Sequence, residues 1–162
     1  MKKWWLVLLL CLLLTGCKQK AFETMSDVYE QPADLAAKEV LLMLPQEAMA
    51  MDPKEGKYYL CEGFSLSVQT FSSGDLNRTM RAVSGFEREN LPVMELRQDG
   101  IKRYEWVWAS AGEGGTYLNR AVLLDDGAFQ YVLTLQGAAE MAGELKDTWQ
   151  EIIGSFSLDT GP

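Results

Sequence analysis

Two Asp-Gly steps, Asp99-Gly100 and Asp126-Gly127, constrain this chain more than any other feature. Asp-Gly between alternating apolar runs is a strong β-hairpin signal, because both residues accept the left-handed backbone that a tight turn between twisted strands needs. Residues 93–97 and 101–110 flank the first step, and residues 116–124 and 128–136 flank the second. The glycine-rich stretch 111–115 turns the chain between the two hairpins. A phosphate cradle would need such glycines to feed a helix N-terminus, usually with a lysine; here a strand follows and no lysine is present. Four strands joined by short turns read as an antiparallel meander.

Elements on either side extend it. Phe64, Leu66 and Val68 alternate with Ser65, Ser67 and Gln69, the period of a half-buried strand, and residues 57–61 form its partner across Glu62-Gly63. The apolar run 40–44, before Pro45, reads as a buried strand, and 46–56 as a loop or helical turn ended by Asp52-Pro53 and Gly56. A short helix is predicted near 75–84, with Asp75 as N-cap, Leu76, Met80 and Val83 on one face, and Gly85 as its stop. A second is predicted over 138–153, where Ala142, Leu145, Trp149 and Ile152 form an apolar stripe beside an acidic flank of Glu140, Glu144, Asp147 and Glu151. Gly154 should end it, and 155–158 should return to the sheet as an edge strand. The expected class is α+β: a single antiparallel sheet of about six strands with two helices packed on it.

The chain opens on Met1-Lys2-Lys3, then runs through eleven apolar residues from Trp4 to Leu14. A positive start, a short apolar run and small residues before a cut describe a secretory signal peptide; a membrane helix needs about 20 apolar residues. Leu14-Thr15-Gly16-Cys17 resembles the lipobox of bacterial lipoproteins. The resemblance implies cleavage between Gly16 and Cys17 and lipidation of Cys17, whose covalent diacylglycerol and N-acyl chain would be the only non-protein group. Two or more acyl chains give stable anchoring where one gives marginal binding. The expected organisation is therefore a signal peptide at 1–16, lipidated Cys17 and a polar tether to 36, one α+β domain at 37–158, and a tail at 159–162. The expected location is the extracytoplasmic face of the cell membrane, with the lipid as the membrane attachment.

Charge and residue types then exclude classes of function. Removing 1–16 takes two lysines from 15 basic side chains and nothing from 23 acidic ones, leaving a formal charge of −10. That balance argues against nucleic acid and against docking onto anionic headgroups. There is no histidine, which removes the Ser-His-Asp and Cys-His systems and most catalytic zinc sites. Of three cysteines, Cys11 leaves with the signal and Cys17 takes the lipid, so Cys61 has no partner for a disulfide. Its neighbours are aromatic, aliphatic and acidic, and Glu62 would raise its pKa, so it reads as a structural thiol.

The ending Tyr131-Val132-Leu133-Thr134-Leu135, then Glu144-Leu145, Trp149 and Ile152-Ile153-Gly154-Ser155-Phe156-Ser157-Leu158, resembles that of PsbP-like domains. A family of small, uncharacterised, acidic bacterial lipoproteins is similar too, with the same lipobox and tether. The resemblance implies a PsbP-like sandwich and an accessory or assembly role, and it carries over no catalytic residue.

Candidate sites remain. Tyr104, Trp106 and Trp108 share one strand face; they read as core beneath the two helices or, alternatively, as a surface that stacks on a sugar or grips a peptide. Alternation puts Arg103, Glu105 and Val107 on the opposite, more solvated face. Arg103 and Glu105, or the helix flank carrying Glu140 and Glu144, would contact a protein partner in the envelope. Asp125-Asp126 reads as a turn rather than a calcium loop, which needs several spaced ligands, so no metal site is expected. The expected function is a non-enzymatic interaction module, the alternative a sugar- or peptide-binding lipoprotein, and a histidine-independent hydrolase ranks below both.

Overall fold

The computed structural model describes residues 35–51, 56–98, 100–159 and 161. The lipobox with Gly16 and Cys17, nearly all of the tether, Asp52-Pro53 and Asp99 lie outside the described residues. The meander is present as β5 (Val93–Gln98), β6 (Ile101–Gly112), β7 (Gly115–Asp125) and β8 (Phe129–Ala138), each antiparallel to the next. Before them, β3 (Lys57–Cys61) and β4 (Phe64–Ser72) form a hairpin, and β4 joins the meander through β8, from Phe64 opposite Gly137 to Ser72 opposite Phe129.

Among the described residues the sheet has seven strands rather than about six, in the order β2-β3-β4-β8-β7-β6-β5. The extra one is β2 (Met49–Met51), inside the stretch expected to be a loop or helical turn. All three of its residues are exposed, so no burial pattern announced it, and it is held by backbone pairing from Met49 opposite Leu60 to Met51 opposite Tyr58.

The run 40–44 behaves differently from the buried strand expected. Only β1 (Val40–Leu41) is extended and paired, and its partner is β9 (Ser157–Leu158) in a separate two-stranded ribbon. Leu41 and Met43 are exposed while Val40, Leu42 and Leu44 lean on the core. The expected return of 155–158 to the main sheet is likewise replaced by this ribbon, which Asp159 N–H extends by donating to Glu39 O (2.8 Å) and Met43 N–H by donating to Ser155 Oγ (2.9 Å).

The helices pack on opposite faces of the sheet, not together. α1 (Leu76–Ser84) starts where Asp75 accepts from Asn77 N–H and stops at left-handed Gly85, whose N–H donates to Arg81 O, as its caps predict. It buries Met80 against Tyr104, Trp106, Ala121, Leu123 and Val132. α2 (Ala142–Ser155) follows a 3₁₀ turn at Ala139–Met141, so it begins four residues later than expected and runs one residue past Gly154. It buries Leu145, Trp149, Ile152 and Ile153 against the other face, on Phe64, Leu66, Leu133 and Leu135. Its close approach to β8 depends on Gly137: a Cβ there would lie 2.7 Å from Leu145 Cδ1 and 3.2 Å from Trp149 Cζ2.

Candidate binding site

A helix of nine residues is about 13 Å long, whereas seven strands span about 29 Å. α1 therefore leaves part of its face uncovered, and the strand alternation decides what shows there. Two adjacent rows of directly opposed residues cross the sheet on this face. One runs Ser65, Gln136, Asn119, Trp108 across β4, β8, β7 and β6; the next runs Tyr58, Ser67, Thr134 from β3 to β8 before reaching Ala121 and Trp106 beneath α1. With the C-terminal end of α1 as a wall, these rows line a cleft of about 340 Å³.

The floor of the cleft is uncharged and ordered. Asn119, only 2% exposed, donates from Nδ2 to Ser110 Oγ and accepts at Oδ1 from Gln136 Nε2, both at 2.9 Å. Trp108 is half-buried, and its ring stacks on that of Trp106, with centroids 6.4 Å apart and planes 22° from parallel. The side-chain hydroxyls of Ser65, Ser67 and Thr134 have no hydrogen-bond partner among the described residues. Sequence reasoning missed these small polar residues because each looks like an ordinary solvent-facing strand position. The available signal was the mismatch between a short helix and a wide sheet.

The three aromatics expected on one face are there but separate in role. Tyr104 and Trp106 are core beneath α1 alone, Trp106 at 1% exposure, while Trp108 reaches the cleft. The expected solvation of the opposite face is not found at Glu105. Its residue exposure is 9%, and its carboxylate accepts from Arg103 Nε and Arg120, each at 2.9 Å. Half-buried Arg103 also donates to Ile153 O (3.0 Å) and Phe156 O (3.4 Å), placing a cation on the carbonyl end of α2, where the helix dipole favours it. Burial pushes the Glu105 carboxyl up, but the two guanidinium groups outweigh it and hold its pKa below the ordinary value. Glu140 and Glu144 are exposed, in the 3₁₀ turn and the first turn of α2.

Two further groups are committed to the fold. Burial raises the Cys61 pKa and Glu47, rather than the expected Glu62, adds to it. Asp126 accepts from the backbone of Ala128 and Phe129 and pairs with Lys38 Nζ at 3.3 Å, and Asp125 accepts from Ser73, Gly127 and Gln130. Among the described residues no three His, Cys, Asp or Glu side chains lie together as a metal would require.

A second feature lies on the α2 side. Met94 and Leu96 of β5 pair with Glu105 and Arg103 of β6, so they share the face that α2 only partly covers. They are 49% and 46% exposed, and Val107 beside them is 40% exposed. β5 is also a terminal strand, with no neighbour on its outer edge among the described residues. A larger hollow of about 550 Å³ lies beside Val40, Leu42 and Leu44.

No family model and no curated protein matches this chain. Solved structures do. The solution structure of cyanobacterial PsbP (CyanoP) from Synechocystis superposes with a TM-score of 0.58 at 14% identity, covering 74% of this chain and 86% of that one. The domain has a PsbP-like fold. LpqN of Mycobacterium tuberculosis, involved in cell envelope biogenesis, is similar at a TM-score of 0.48 and 11% identity over 78% of this chain and 86% of that one, too distant to carry an argument. A PsbP-like fold assigns no chemistry by itself; any chemistry of this PsbP-like domain has to be argued from its own residues.

Proposed function

We propose that this chain is an extracytoplasmic accessory module, held to the membrane by acyl chains on Cys17, that works without catalysis by binding a protein partner along β5. The observation that carries the reading is the exposed apolar triplet Met94, Leu96 and Val107 beside a strand edge that no described residue pairs with. Folded proteins usually blunt such edges with charges, prolines or a covering loop. Here Glu95 and Arg97 put charge on one face of β5 while Met94 and Leu96 lie on the other. The occupant that fits is an extended segment of a partner protein: it adds to β5 as a further strand and sets apolar side chains against the triplet. The lipobox motif and the short apolar leader support the location and the anchor. Among the described residues no helix is long and apolar enough to cross a membrane.

Photo-crosslinking in native membranes tests the proposal, with the reactive group at Leu96 or, as a control, at exposed Glu151 on α2. A discrete protein adduct is expected from position 96 only, and Met94→Glu should remove it. Identical adducts from both positions, or none from 96, would overturn the reading.

A further inference from the structure

The cleft beside α1 is a different kind of surface from the β5 margin, and its chemistry selects a different ligand. We infer that it binds a neutral saccharide unit about one sugar ring in size. Its volume, about 340 Å³, sits at the low end of the usual range for small-molecule pockets, which suits one ring and its substituents.

The lining decides the class. Among the described residues no charged side chain borders the cleft. A phosphate, carboxylate or ammonium group entering it would lose hydration without gaining an opposite charge, which is costly. What the floor offers instead is hydroxyls and amides, groups that match the mixed donor and acceptor character of sugar hydroxyls. The hydrogen bonds inside the floor leave its outward groups defined. Asn119 Nδ2 donates to Ser110 Oγ, so the Ser110 hydroxyl proton is free to donate outward. Gln136 Nε2 donates to Asn119 Oδ1, so Gln136 Oε1 remains an acceptor. Thr134 and Ser67 sit directly opposite each other, adding two hydroxyls with no partner among the described residues.

The apolar half of a sugar ring needs a flat partner, and Trp108 supplies it. Its ring is part of the cleft wall and is braced from behind by the stack on buried Trp106. The stack fixes the Trp108 ring before any ligand arrives, so little side-chain freedom remains to be lost on binding. A merely solvated sheet face has no reason to brace a half-buried indole beside a hydrogen-bonded amide ladder.

The test is a titration of the full-length protein in a detergent without a sugar headgroup, using glucose, N-acetylglucosamine and trehalose. Tryptophan emission and ligand-observed NMR are read together. At least one of the three is expected to saturate with a Kd on the order of 1 mM, as a small, partly solvated ligand gives. Trp108→Ala should weaken it by roughly three- to tenfold, the loss expected when a stacking partner is removed. Because Trp108→Ala also removes packing, the second variant is Thr134→Val, which keeps the side-chain shape and should weaken binding several-fold while the thermal melt stays intact. Glucosamine 6-phosphate and glucuronate should not bind. The inference is overturned by the absence of saturable binding for all three neutral sugars, or by binding that persists unchanged in both variants. Binding of the uncharged tripeptide Gly-Ser-Gly with the sugars inert would overturn it too.

Discussion

Glu105 shows how far one side chain's role depends on what folds over it. Both carboxylate oxygens are taken by arginines, and one of these, Arg103, also closes the end of α2. Glu105→Ala leaves two half-buried guanidinium groups facing each other without their anion. The expected loss is about 1–3 kcal/mol, below the figure for a fully buried pair because both arginines keep some contact with water; chemical denaturation measures it. The same carboxyl makes stability depend on acid. A group whose folded pKa lies below its unfolded value stabilises the fold above that value and stops doing so as the pH falls through the folded one. The melting temperature should therefore drop once the pH passes below the ordinary value of 4.5, with Asp126, also depressed, adding to the fall. Glu105→Gln should make the decline shallower. An equal slope in the variant would remove Glu105 as its source. From the sequence, Arg103 and Glu105 looked like a charged solvent face, because nothing local says that the C-terminus of α2 lands on Arg103.

At the scale of elements, α1 is fastened through a buried polar chain as well as by Met80. Thr79 Oγ1 donates to Gln130 Oε1 at 2.6 Å, Gln130 Nε2 donates to Asp125, and Asp125 also accepts from Ser73. Thr79→Val leaves a buried amide oxygen unpaired at an expected cost of about 1–3 kcal/mol. Hydrogen exchange should show the loss mainly in α1; uniform loss across the sheet would mean the chain is not local to the helix. On the other face, Gly137→Ala should destabilise by about 1–3 kcal/mol, because α2 must back away from the new methyl. The elements themselves were largely legible. Both caps of α1, the meander and its turns follow from Asp75, Gly85 and the Asp-Gly steps. What escaped was either too short to carry a period, as β2 and β1 are, or a matter of which face a helix chooses. An apolar stripe says that Leu145 and Trp149 must be buried, not on which side of the sheet. For the cleft, Trp108 was legible as an aromatic on a strand; Asn119, Thr134 and Gln136 were not, since only the cross-strand register brings them together.

For the whole molecule, the domain and its attachment are separable expectations. If Cys17 carries the lipid, Cys17→Ala should lose incorporation of labelled palmitate and migrate as the longer precursor. Label retained by that variant would overturn the anchor while leaving the fold untouched. The strong acidic balance argues against the domain lying on anionic headgroups.

Those two faces meet along β6. Val107 looks toward the apolar margin and Trp108, its immediate neighbour, toward the cleft. A single inserted residue upstream in that strand would turn it inside out, delivering the indole to the wrong side and an aliphatic side chain to the cleft floor. The exposed turn from Gly112 to Gly115 has no such parity to keep. Added length is therefore tolerated at the Gly112–Gly115 tip, whereas along β6 a single extra residue must be absorbed by a bulge or it exchanges the two faces.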